Sequence, residues 1–260
     1  MKVIVRIYFS KLLQVYCSIL LFGFTAFSQN PAKDTINFKG SVAATGIVQT
    51  GDENRTVFSL LSVLKISTQK YQIEPLTSIA YSTKPGKQVE GEYLENIIFR
   101  YHQNKAIYPA IGTAFEQSFL RKINFRYTLS AAVVFNLLKK ENQILKFALG
   151  YSHENTNYEN GAFVPSIDGI NPYSKNEEQL YVRIKGEHTI EKFKISYDIF
   201  YQAPFEKLTD KRWLIIGNVD YSIAKHLAIR ASAVNSYENF VATNVSKDNF
   251  RLTYGLNIQF

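Results

Sequence analysis

The side chains of this sequence best placed to do chemistry are basic, and they recur at every second position. In the stretch "INFRYTLSAAVVFNL", Arg126 shares its places with Asn124, Thr128, Ser130 and Asn136, while Ile123, Phe125, Tyr127, Leu129, Ala131, Val133, Phe135 and Leu137 alternate with them. A period of two puts all the polar residues on one face of a strand. Lys146 holds the same place in "QILKFALGYSH", and the same face of other segments carries Lys39, Lys65, Arg183, Lys185, Lys194, Arg230 and Arg251. Glu74, Glu116, Asp198 and Asp220 oppose them there. Cations collected inside a narrow wall focus a field that gathers anions and rejects cations. The same residues have a second use, in which Arg and Lys pair with the acids and fill the interior as a wet core.

Other chemistries fare worse. A Ser-His hydrolase needs the two side chains within hydrogen-bond reach. His102, His188 and His226 fall at or near tight turns, and His153 adjoins Ser152 but alternates to the opposite face. Lipid hydrolysis is thereby disfavoured. No histidine pair has helical metal-ligand spacing, no nucleotide-binding motif is present, and the single cysteine, Cys17, lies in an N-terminal apolar run. No catalytic residue, no metal ligand, no cofactor and no nucleic-acid partner are expected.

The elements that position the cations are strands. Alternating segments are predicted near 36–49, 55–67, 71–83, 92–102, 105–116, 123–138, 143–154, 178–187, 192–202, 212–223, 226–237 and 249–260. About twelve strands is an even number, as bacterial single-chain barrels have. Connections such as "TQK", "KKEN" and "AKH" are tight, whereas the segment 155–177 is long. Short turns at one end and long loops at the other fit an antiparallel up-and-down transmembrane β-barrel with both termini in the periplasm. Tyr71 and Tyr81, Trp213 and Tyr221, Tyr197 and Tyr201, and Phe250 and Phe260 bracket apolar stretches as interfacial aromatics would. A secreted β-sandwich is the rival fold. Two features strain the barrel reading: Pro75 and Pro109 fall inside strands, which places them near strand ends or bulges, and the fourth strand must turn either Glu95 or Arg100 to the wrong face.

Lys2, Arg6 and Lys11 precede an apolar run to Phe27, followed by "AFSQN", so 1–28 reads as a secretory signal peptide, 29–35 as a short periplasmic segment and 36–260 as the barrel. Export then leads to the cell outer membrane. With 46% hydrophobic residues but a mean hydropathy of -0.14, the apolar residues are dispersed rather than gathered into membrane helices. The last strand, "FRLTYGLNIQF", places Tyr254, Leu256, Ile258 and Phe260 on one face, as the insertion signal of an outer-membrane protein would. Its free edge must pair with the first strand. The partners so implied are outer-membrane lipids and lipopolysaccharide, the barrel assembly machinery, and small anionic solutes. Arg121 and Lys122 in "EQSFLRK" are candidate contacts for lipopolysaccharide phosphates.

The run from "YLENIIFRYHQNKAIYPAIG" to "LKFALGYSHENTNYE", with "TGIVQTGDENRT" before it, resembles the family of salt-induced outer-membrane proteins, a domain of unknown function in Gram-negative bacteria. The ending "FSQN" of the signal is similar to those of Bacteroidetes. The resemblance implies a barrel in the outer membrane and supplies no catalytic or binding residues.

Overall fold

The computed structural model describes residues 36–49, 55–84, 87–164, 167 and 173–260; the segments read as 1–28 and 29–35 lie outside them. The described residues form a closed antiparallel barrel. Its twelve strands are β1 (Asn37–Gln49), β2 (Arg55–Ser67), β3 (Tyr71–Lys84), β4 (Lys87–Tyr101), β5 (Ile107–Ser118), β6 (Ile123–Lys140), β7 (Gln143–Tyr158), β8 (Ser174–Ile190), β9 (Phe193–Pro204), β10 (Arg212–Ala224), β11 (Leu227–Glu238) and β12 (Asp248–Gln259). Each pairs with its sequence neighbours, and β1 closes the ring on β12, with Ser41 opposite Gln259 and Gly46 opposite Tyr254. Closure removes both free edges, which a sandwich would keep.

The seam depends on a glycine. Gly40 and Phe260 exchange two backbone hydrogen bonds, of 2.7 and 2.9 Å. The Phe260 ring lies where a Cβ on Gly40 would stand and stacks on Phe38 at 5.9 Å between centroids. Any side chain at position 40 must displace that ring.

Alternation decides which residues meet lipid. Leu129, Val133 and Leu137 of β6, Leu149 of β7, and Leu252, Tyr254, Leu256, Ile258 and Phe260 are exposed on the outer surface, while their neighbours turn inward. Toward the loop end, Trp213 stacks on Tyr237 at 4.0 Å and Phe115 meets Tyr127 at 5.1 Å; toward the short-turn end, Tyr71 meets Tyr101 at 5.4 Å and Phe193 meets Tyr221 at 5.0 Å. Two aromatic belts around an apolar wall are what a strand-built membrane protein requires.

The awkward positions resolve in distinct ways. Arg100 turns inward, and Glu95 is the residue left facing out, where Thr77 Oγ1 donates to its carboxylate at 2.7 Å and the Tyr93 hydroxyl at 3.2 Å. Those two donors lower the cost of a carboxylate on that face. Pro109 stands just beyond the last pair of β4 with β5, Arg100 opposite Ala110, so its missing N–H interrupts no ladder with β4. Pro75 sits inside β3 rather than at an end or bulge. There the pairing with β2 lapses between Val63–Leu76 and Ile66–Ile73 without a change of register.

Several strands outrun their expected ends. β4 begins at Lys87, and β7 and β8 extend to Tyr158 and from Ser174. Asparagine disfavours strands in isolation, yet Asn155 donates to Asn176 Oδ1 at 2.5 Å and Ser174 to Asn157 Oδ1 at 2.8 Å, so cross-strand pairs carry the hairpin onward.

Candidate functional site

The interior holds a cavity of about 1340 Å³. It is lined by Asn37, Gln103 and Lys139 toward the short turns and by Ser246 and Lys247 toward the loops, so it follows the length of the barrel. One wall is built of short side chains, Ser41, Ala43 and Thr45 of β1, Ser59 of β2, and Ser78 and Ala80 of β3. Long charged side chains reach in from the other strands. Alternation places Lys39, Lys65, Arg126, Lys146, Arg183, Lys185, Lys194, Arg230 and Arg251 along this cavity, together with Glu116 and Asp198, while Glu74 and Asp220 are buried beside their partners.

These charges form two tiers of opposite balance. In the loop-end tier, Arg126, its side chain 2% exposed, meets Glu116 at 3.1 Å, Glu154 at 3.3 Å and also Glu238. Its Nε donates to Thr156 Oγ1 at 3.0 Å. Arg212 meets Glu154 at 2.6 Å and Glu238 at 4.0 Å. Arg121, expected to face lipopolysaccharide, instead turns into the mouth and binds Glu116, Glu92 at 3.2 Å and Glu238 at 3.5 Å. Burial opposes its charge, but Glu116, Glu92 and Glu238 outweigh burial and hold the guanidinium above its ordinary value. Three arginines thus face four glutamates. Arg126 belongs to this outer tier because β6 enters the barrel from the loop end and Arg126 stands near its start.

The second tier occupies the middle and the short-turn half, and here cations exceed acids. Arg100 forks onto Glu74 at 3.1 and 3.3 Å, and Lys185 reaches the same carboxylate at 3.0 Å. Arg183 clasps Asp198 at 2.7 and 2.6 Å, and Arg230 clasps Asp220 at 2.7 Å through each nitrogen. Lys65 at 3.3 Å and Lys194 at 2.9 Å share Glu187. Lys146 has no carboxylate contact among the described residues; its ammonium lies 5.8 Å from the centroid of the Tyr108 ring. Six of these seven cations meet Glu74, Glu187, Asp198 and Asp220, and Lys146 is the seventh. The wet-core reading therefore describes most of the individual charges, and the cationic reading describes the tier as a whole.

Sequence reasoning missed Arg100, Glu92, Glu154, Glu187, Arg212 and Glu238. Glu154 and Glu187 share the parity of Lys146 and Lys185, so alternation carried along the extended β7 and along β8 would have reached them; Arg100 and Glu92 share the face of β4 that the sequence left open. Arg212 and Glu238 sit at strand ends, where facing is read least well from period.

Above the outer tier the loops meet. Tyr158, Phe163, Tyr173 and Phe240 pack ring to ring at 5.0 to 6.3 Å around the buried Ala162 and Ala242. Thr243 N donates to the Ala162 carbonyl at 2.8 Å, Val164 N to Thr243 Oγ1 at 2.8 Å, and Lys122 Nζ to the Thr243 carbonyl at 3.0 Å. Described parts of the β5–β6, β7–β8 and β11–β12 connections, which rise from opposite sides of the ring, are thus joined across the mouth. On the outer surface, His153 Nδ1 lies 2.6 Å from Glu178, whereas Ser152 faces the lumen, so the two sit on opposite sides of the wall.

A closed wall that is apolar outside, belted with aromatics and charged within defines a transmembrane β-barrel. The chain belongs to the family described as "Protein of unknown function, DUF481", whose model matches residues 42–260. Among solved structures it is similar to the NanC porin, at 8% identity over 85% of this chain and 98% of that one, with a TM-score of 0.50. It also matches the KdgM porin in complex with disordered oligogalacturonate (12% identity, 85% and 99% covered, TM-score 0.45). The outer membrane channel DcaP of Acinetobacter baumannii matches as well (9% identity, 89% and 99% covered, TM-score 0.38). No curated protein matches the chain in sequence. At such identities the likeness concerns the barrel architecture alone.

Proposed function

We propose that this protein is an outer-membrane pore that favours small anionic solutes. The observation that carries the reading is the cation-rich inner tier, which lines a cavity running the length of the wall. In a low-dielectric wall, a surplus of positive charge raises the local concentration of anions. Both ends of the described barrel lie on the short-turn side, which corresponds to the periplasm. The segment 1–28 would direct export, and Tyr254, Leu256, Ile258 and Phe260 would serve the assembly machinery as the insertion signal. The salt-induced, Bacteroidetes-type resemblance belongs to the same proposal, since the family description names neither inducer nor source.

The test is passage. Vesicles holding the folded barrel and loaded with labelled gluconate and sorbitol, linear six-carbon molecules differing in charge, should lose gluconate faster. Retention of both supports a second reading, a closed envelope barrel whose loops bind a partner. The aromatic cluster over the mouth favours that alternative.

A further inference from the structure

A small niche opens off the main cavity between β4, β5, β6, β7 and β8, with a volume of about 60 Å³. Its apolar lining is Ile98, Val134 and the short Ala110, Ala132 and Ala148. Its polar lining is Arg100, Lys146, Arg183 and Lys185, with Tyr108 and Tyr181. Tyr108 is 2% exposed, yet its hydroxyl has no hydrogen-bond partner among the described residues. A buried hydroxyl in that condition is a costly group unless something comes to meet it.

The four cations are not equivalent. Arg100 and Arg183 are held in forked pairs with Glu74 and Asp198, and Lys185 is engaged with Glu74. Lys146 is the cation of the niche with no carboxylate among the described residues. One ammonium without a carboxylate, 5.8 Å from the Tyr108 ring centroid, and one hydroxyl without a hydrogen-bond partner among the described residues therefore line the same space of a few water-sized groups.

From this geometry we infer that the niche is a binding site for the carboxylate of a small organic acid, held by Lys146 and Tyr108, with the rest of the acid extending into the lumen. A carboxylate matches the set because it brings a single charge and two acceptor oxygens. A doubly charged sulfate or phosphate would have to draw Arg100 or Arg183 out of its forked pair. The inference rests on the anion-pore reading, to which it adds a ligand class and a fixed station. Residence at such a station must be weak for passage to continue.

The test uses the full-length barrel in detergent micelles, labelled with carbon-13 at the tyrosine Cζ, with the Tyr108 signal identified by Tyr108→Phe. Sodium acetate is titrated at constant ionic strength against sodium chloride. The Tyr108 signal should shift saturably, and Lys146→Gln should weaken acetate by about tenfold or more. Ala148→Leu, which fills the niche and leaves the lysine charge, should abolish the shift. A wild-type signal that does not saturate, or an affinity unchanged in Lys146→Gln, overturns the site. Sulfate that binds as tightly as acetate overturns the carboxylate assignment. Micelle binding requires no conduction: a saturable shift in a barrel that passes nothing leaves the niche and removes the pore, whereas conduction without the shift removes the niche alone.

Discussion

Arg230→Gln should destabilise this barrel more than Arg126→Gln, although Arg126 touches more carboxylates. Arg230 clasps Asp220 at 2.7 Å through each nitrogen, and Asp220 is fully buried. Lys194 lies opposite Asp220 in the β9 register but is engaged with Glu187 at 2.9 Å. Removing Arg230 thus strands a buried charge, the circumstance that costs about 3–5 kcal/mol, and the upper half of that range applies. Removing Arg126 leaves Glu116 with Arg121, Glu154 with Arg212, and Glu238 with both, so its cost falls near the lower bound of about 3 kcal/mol. Adding Asp220→Asn to Arg230→Gln removes the stranded charge and should recover about half the loss or more. Reversible guanidinium unfolding in phospholipid vesicles, followed through the single tryptophan, Trp213, measures all four proteins. A larger loss for Arg126→Gln, or a double variant no better than Arg230→Gln, would refute the argument from stranded charge.

Facing is tested by Leu149→Arg, which puts a cation on the lipid side of β7 and should cost about 2–4 kcal/mol in the same assay; the lumen-side change Ala148→Arg should be limited mainly by space. Gly150→Ala should lower stability by about 1–3 kcal/mol, because the added Cβ would stand 2.6 Å from the Ala131 carbonyl and also meet the Tyr181 ring; a neutral result would mean that the ring is not seated there. Deleting residues 257–260 unpairs Ser41, Val42 and Ala43 and removes the Gly40–Phe260 hydrogen bonds, so the protein should accumulate unfolded or degraded. Heat-modifiable barrel from that deletion would contradict the seam.

Strand facing was legible because a period of two survives wherever one side meets lipid and the other water; β6 keeps it from Phe125 to Asn136, between two bulges, while Ile123, expected on the outer face, is buried among the loops. What period could not convey was partnership. Arg121 meets Glu238, and Lys185 meets Glu74, across the barrel, and such pairs exist only once closure and register are fixed. Asn155 to Tyr158 read as loop because asparagine is a poor strand former, yet the partner strand overrules local preference there. Glu95 was the opposite case, a residue whose type argued against its true face. The niche left no trace in sequence, since Tyr108 and Lys146 come from different strands and acquire meaning only when the fold sets them side by side.

The central claim, that a cation-rich lumen forms a solute path, is met most directly by the reversal potential of the purified barrel in a planar bilayer under a potassium chloride gradient. The account predicts conduction with a potential on the chloride side of zero, shrinking as total salt rises and screens the lumenal charge. An electrically silent barrel, or a potential on the potassium side, would contradict it.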